Sequence, residues 1–226
     1  MSALSSTLRF YRSFQRRLSP EQYKEYYVQK ALHAIGSLAY LEIGVRQGDS
    51  FRYIQATEKI GVDPCRTAEI AVLSEGETFY EMTSDEFFSG PAADLFARKP
   101  IGVCLVDGLH TFEQSLADVL NAAKFLHRDG TIVLDDVYPD TEDKAALAPH
   151  GRAWNGDVWK TMALLRSTQP EWEVFSIPVD EGVGMVRPHG HPANPITADD
   201  IRRYKELPYE ALRSNPDLIG VVTNSH

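Results

Sequence analysis

Cysteine is scarce: the 226 residues contain two, Cys65 and Cys104. Cys104 lies inside an apolar run, so neither a disulfide framework nor a thiolate metal site is expected, and a cytoplasmic setting is. Basic charge is also in deficit, with 23 Lys and Arg against 32 Asp and Glu and a net charge of −9 at pH 7. Nucleic acid and anionic membrane both demand a basic footprint; neither partner is expected, and a small or neutral substrate is. No apolar run approaches the ~20 residues of a membrane span, and the stretch from Met1 to Ser13 lacks the apolar centre of a signal peptide. Internal repeats and low-complexity segments are missing. So are a Gly-x-Gly-x-x-Gly fingerprint and a Walker lysine, which leaves dinucleotide pyrophosphates and triphosphates poorly served. This length suits one α/β domain over residues 1–226, with helices to residue 36, a core over 37–188 and a helical cover over 189–226.

The stretch that organises the chain is Ile101 to Pro139, with two apolar runs that each end in acid. Ile101 to Val106 reads as a strand buried on both faces and stops at Asp107-Gly108. Thr111 begins a helix with capping-box spacing to Gln114, and Phe112, Leu116, Val119, Leu120, Ala123 and Leu126 follow at helical intervals. His127 and Arg128 are expected in its last turn, with Gly130 as a left-handed cap. Thr131 to Leu134 is then a second strand, ending at Asp135-Asp136. Parallel strands joined by a crossover point the same way, so these acids emerge at the carboxyl edge, where open α/β sheets bind ligands. With strands ~4.8 Å apart, Asp107, Asp135 and Asp136 are placed to share one cation. The plainer alternative for Asp107 and Asp136 is a turn or helix cap.

Upstream, Arg9, Arg12, Arg16 and Arg17 mark the solvated face of a first helix, and Ser19-Pro20-Glu21-Gln22 starts a second that stops near Gly36. Tyr26 and Lys30 form a Tyr-x-x-x-Lys pair but precede the first strand, so they read as surface and packing. Leu38 to Ile43 is that strand. It opens into a loop whose Gly44 and Gly48 let the backbone turn and approach a ligand, with Asp49 or Ser50 capping the next helix. Asp63 ends the strand Lys59 to Val62, about 20 residues after Gly44, the distance at which an acid grips ribose hydroxyls. A nucleoside without phosphates fits best. Phe79 to Met82 is a third strand. Thr83, Ser84 and Asp85 after it either bond a purine edge or cap a helix.

Pro91 to Arg98 is a short helix. Val137 to Gly156 is too long for an ordinary connector and reads as a lid, with Tyr138, His150 and Trp154 as substrate contacts. Asp157 is expected to cap a helix through Trp159, Met162 and Leu165. Trp172 to Pro178 and Val183 to Arg187 form an antiparallel hairpin. His189-Gly190-His191 is too far in sequence from the acids to suggest metal. Thr197 starts another helix, and Tyr204 to Ile219 covers the domain.

The motifs Leu41-Glu42-Ile43-Gly44-Val45 with Gly48, Val106-Asp107-Gly108-Leu109-His110-Thr111-Phe112-Glu113, Leu134-Asp135-Asp136 and Trp154-Asn155-Gly156-Asp157-Val158-Trp159-Lys160 together resemble the class I S-adenosylmethionine-dependent methyltransferases. Within them they look like the small-molecule branch typified by macrocin and novobiocin sugar O-methyltransferases. The likeness spans Leu38 to Pro188. It implies a Rossmann-like, doubly wound, mostly parallel seven-stranded sheet ending in an antiparallel hairpin. It also implies that S-adenosylmethionine is held by Glu42, Gly44, Gly48, Ser50, Asp63, Ser84 and Asp107, and a divalent metal, usually Mg2+, by Asp107, Asp135 and Asp136. Hard oxygen ligands suit Mg2+ or Ca2+.

The expected activity is Mg2+-assisted O-methylation of a hydroxyl on a small sugar-bearing or polyol metabolite. Asp107 and His110 are the expected catalytic pair, His110 being either the general base or a group that orients Asp107. Alternatives are a metal-independent small-molecule methyltransferase and a non-catalytic nucleoside-binding module of the same fold. Pairing into a homodimer is left open.

Overall fold

The computed structural model describes residues 15–36, 38–148 and 154–222. Arg9 and Arg12 of the expected first helix, and His150 of the expected lid, lie outside these residues.

Seven strands share one sheet: β1 (Ala39–Ile43), β2 (Lys59–Asp63), β3 (Glu77–Glu81), β4 (Ile101–Val106), β5 (Leu126–Leu134), β6 (Glu173–Ile177) and β7 (Val183–Arg187). Their order is β3-β2-β1-β4-β5-β7-β6. The pairs from β3 across to β5 are parallel, and β7 runs antiparallel to both β5 and β6. The chain thus forms the doubly wound sheet with a terminal hairpin that the resemblance implies.

The apolar runs explain why. β4 is buried throughout, and its side chains alternate between two cores. Cys104 and Val106 join Leu41, Ile43, Ile132 and Leu134 on one face, while Val103 and Leu105 join Tyr40, Val133 and Met185 on the other. A strand apolar on both faces needs helices on both sides. The second face is covered by α1 (Lys24–Ile35) and α2 (Asp49–Tyr53). The first is covered by α3 (Ser84–Ser89), α4 (Ala92–Phe96), α5 (Phe112–Phe125), α6 (Trp159–Thr168), α7 (Ala198–Lys205) and α8 (Tyr209–Ser214). No described helix is long and apolar enough to cross a membrane.

Beyond α8, residues 220–222 lie beside β6. The Ser176 amide donates to the Gly220 carbonyl at 2.9 Å, and the Val222 amide donates to the Ser176 carbonyl at 2.9 Å.

Several local expectations are corrected. Ser19 does not cap: Pro20–Gln22 is a single 3-10 turn, Tyr23 is extended, and α1 begins at Lys24. α5 ends at Phe125, so His127, Arg128 and Gly130 belong to β5. Gly130 is required there by crowding, because a Cβ would lie 2.6 Å from Leu126 Cγ and 2.9 Å from the Gly102 carbonyl oxygen. It marks the irregularity where β5 shifts register against β4.

Thr111 makes no side-chain cap on α5. Asp157 does so in its place, its Oδ1 accepting the Phe112 amide at 2.7 Å, and it therefore does not cap α6 as expected. Tyr138 packs against the core and is not among the residues lining the cleft. Thr197 does cap α7, in a reciprocal box with Asp200.

Candidate active site

The carboxyl ends of β1, β2, β4 and β5 open into a cleft of about 990 Å3, at the point where strand order reverses between β1 and β4. The parallel ladder continues one residue past the strands. The Gly44 amide donates to the Val62 carbonyl, Asp107 to Ile43 and Asp135 to Val106, at 2.9, 2.9 and 3.1 Å. The cleft's acids therefore stand on a hydrogen-bonded ledge.

Gly44 has φ +86°, and a Cβ there would lie 2.0 Å from the Asp107 carbonyl oxygen. The loop after β1 and the loop after β4 touch at this point, and only glycine leaves the room. Gly48, at φ +77°, takes the N-cap position of α2, so neither Asp49 nor Ser50 caps it. Ser50 donates its hydroxyl to Glu25 Oε1 at 2.8 Å.

Asp63 holds the loop from the neighbouring strand: Oδ2 accepts the Arg46 amide at 2.7 Å and Oδ1 the Cys65 amide at 2.8 Å. A carboxylate has about four acceptor positions, so two remain for a diol. Glu42 accepts from the Tyr40 hydroxyl at 2.6 Å. Burial pushes its carboxyl up to about 8, against the pull of that hydrogen bond. On the far wall Thr83 caps α3 in a box with Glu86, which leaves Ser84 and Asp85 facing the cleft. Ser84 accepts from Gln114 at 3.2 Å, and burial raises the adjacent Asp118 to about 6.

The acids divide into two sets. His110 stands between Asp107 and Asp136, with Nε2 3.5 Å from Asp107 Oδ1 and Nδ1 3.2 Å from Asp136 Oδ2. Nδ1 also lies 2.9 Å from the Trp154 carbonyl oxygen, and the two rings stack at 5.3 Å. Asn155 donates to Asp136 Oδ1 at 3.0 Å. One ligand atom each from Asp107, His110 and Asp136 fall within 4.8 Å of one another.

Asp135 belongs to the other set. Lys24 Nζ donates to Asp107 Oδ2 at 2.6 Å and to Asp135 Oδ2. Of the three acids expected at one cation, the structure gathers Asp107 and Asp136 around His110 and pairs Asp135 with a lysine.

These contacts set the charges. Burial works against the Lys24 ammonium, but Asp107 and Asp135 outweigh it and hold its pKa well above the ordinary value. Burial would likewise raise Asp107, yet Lys24 and His110 hold it low. Burial lowers His110, and its two carboxylates more than reverse that. Asp136 is raised to about 7, chiefly by burial.

Two carboxylates and an imidazole form a donor set that fits a divalent cation. Asp135 Oδ1, buried and without a hydrogen-bond partner among the described residues, is a further acceptor beside it.

Lys24 is the site residue that motif reading misses. Its signal is positional: it shares a stripe with Val28 and Leu32, four residues apart, on the buried side of α1. A charge on that stripe needs a partner.

Residues 41–137 match the family model described as a methyltransferase domain. No curated protein matches the chain. Among solved structures, the cofactor-bound Rv0187 from MTB is 16% identical with a TM-score of 0.50, over 74% of this chain and 79% of that one. The SAH-bound methyltransferase PaMTH1 of Podospora anserina is 17% identical with a TM-score of 0.49, over 73% and 77%. The MycE methyltransferase of the mycinamycin biosynthetic pathway, in complex with Mg and SAH, is 14% identical with a TM-score of 0.47, over 75% and 51%. The family match covers the β1 to β5 core, less than half of the chain, and the likeness to Rv0187 shows a shared fold.

Proposed function

We propose that the protein transfers the methyl group of S-adenosylmethionine to a hydroxyl of a small sugar-bearing or polyol metabolite, assisted by a divalent cation, Mg2+ by preference. The observation that carries this reading is the Asp107, His110 and Asp136 cluster, set in the same cleft as the Gly44 loop. Asp63 would take the ribose hydroxyls, and Ser84 with Asp85 the adenine edge. Gly44, Gly48 and Ser50 would line the cofactor's path, with Glu42 beneath it. Asp107 and Asp136 would hold the cation, with His110 beside them and Asp135 behind. When bound, such a cation lowers the pKa of the acceptor hydroxyl.

The chain's own residues do the rest. Asp107 and Asp136 hold the His110 pKa above its ordinary value, so His110 would serve as base once deprotonated, with Nδ1–H donating to the Trp154 carbonyl and Nε2, beside Asp107 Oδ1, taking the acceptor's proton. Trp154 and Asn155 keep His110 and Asp136 in place. Holding the acceptor oxygen in line with the sulfonium methyl removes the entropic part of the barrier.

The reading is tested with Asp136→Asn, which keeps the shape and deletes one ligand charge. S-adenosylhomocysteine affinity by calorimetry should stay within about threefold, while turnover falls steeply and demands more Mg2+. Full turnover of the parent in EDTA would remove the cation from the reading.

A second reading, metal-independent transfer, is favoured by one contact: the Lys24 ammonium already bridges Asp107 and Asp135.

A further inference from the structure

We propose that Lys24 is a resident cation of the active site, and that its ammonium and an incoming divalent ion compete for Asp107 and Asp135. The inference rests on the proposed cation reading.

Lys24 opens α1, an element outside the β1 to β5 core that carries the family match. Its side chain is 11% exposed, so the charge is held out of water and depends on its partners. The backbone is tied as well, since the Lys24 amide donates to Asp180 Oδ2 at 3.2 Å in the turn between β6 and β7. The ammonium therefore arrives at a fixed place.

Asp107 is the shared group. Oδ2 is engaged by Lys24 at 2.6 Å, and Oδ1 faces His110. A dipositive ion at Asp107 and Asp136 would sit within a few ångströms of the ammonium, and their repulsion there is large. While Lys24 stays seated, Asp107 and Asp136 are the anionic ligands that the described cluster offers the ion. If Lys24 withdraws, Asp135 becomes a third, through Oδ2 and through the buried, unpartnered Oδ1. The consequence is a site that stays organised without metal and binds metal weakly, with α1 and the ion linked through one side chain.

The test uses Mn2+ as the probe, read by electron paramagnetic resonance in the full chain without substrate. Lys24→Met keeps the length of the stem and deletes the charge. It should tighten Mn2+ binding about tenfold or more, while Lys24→Arg stays near the parent. A second arm works in the unmutated protein: Mn2+ should speed hydrogen exchange of the first-turn amides of α1.

Equal or weaker Mn2+ binding in Lys24→Met overturns the inference and leaves the cation reading standing, provided the parent binds Mn2+. No Mn2+ binding by parent and variant overturns both. Should Lys24→Met fail to bind S-adenosylhomocysteine, and so be misfolded, unchanged exchange in the parent overturns the inference and faster exchange supports it.

Discussion

On the proposed reading Asp63 carries two tasks with one carboxylate, fastening the loop and taking the ribose hydroxyls, and removing it should show both. Its oxygens fasten the Arg46 and Cys65 amides at 2.7 and 2.8 Å. Asp63 also lines the cleft, and about two acceptor positions remain on its carboxylate. In Asp63→Ala the ribose diol loses its acceptor, a loss of roughly 1.5–3 kcal/mol, or about ten- to a hundredfold in affinity. The Arg46 amide loses its acceptor too, and Arg46 sits at φ +50°, a left-handed conformation that costs about 1 kcal/mol unless held. The glycine loop must then be ordered by the cofactor itself, so the total should lie toward the hundredfold end or beyond it.

Asp63→Asn keeps one acceptor oxygen and should fall between the alanine variant and the parent. Calorimetry with S-adenosylhomocysteine measures all three, and Mn2+ affinity should be alike in each. Asp63→Ala binding within about threefold of the parent would refute both roles.

Two further substitutions probe the same ledge. Glu42 has a folded pKa of about 8, so the folded protein keeps a proton that the unfolded chain releases above its ordinary carboxylate range. Stability should fall as pH rises from about 4.5 and level off above about 8, a change of several kcal/mol at most. Glu42→Gln should flatten that slope in thermal melts at pH 5 and pH 8; parallel slopes would exclude Glu42 as the source. Gly44→Ala drives a Cβ against the Asp107 carbonyl, whereas Gly36→Ala, at a similar φ of +82°, meets nothing within 4 Å. The first should cost about 3 kcal/mol or more and abolish cofactor binding, while the second, strained only in its own backbone, should cost about 1–3 kcal/mol and leave cofactor binding unchanged. Unchanged cofactor binding by Gly44→Ala would show that the two loops do not interlock.

The sheet and the floor of its cleft are legible in the sequence because they rest on local signals. Apolar runs buried on both faces stop at Gly44, Asp63, Asp107 and Asp135, and a strand's end fixes where its last side chain emerges. Contacts between distant segments are not legible in this way. Asp157 has the spacing to cap its own helix, yet it caps α5, whose first residue is 45 positions earlier. Gly130 carries the signature of a helix stop, but crowding between β4 and β5 is what requires it. Lys24 meets Asp135 across 111 residues of chain, and no local pattern encodes that distance. The acids can be read as a group, but their division between an imidazole and an ammonium depends on how α1 packs.

The pairing of residues 220–222 with β6 has a consequence outside catalysis. A β-sheet border offers a row of unsatisfied amides and carbonyls to any other extended chain, the usual seed of edge-to-edge association. On the β6 side, Ser176 spends both its backbone groups on Gly220 and Val222, and its hydroxyl donates to the Ile219 carbonyl at 2.8 Å. The helices between β7 and this strip therefore return a short piece of backbone that occupies the border near the C-terminal end of β6, so a foreign strand finds that part of the edge already taken.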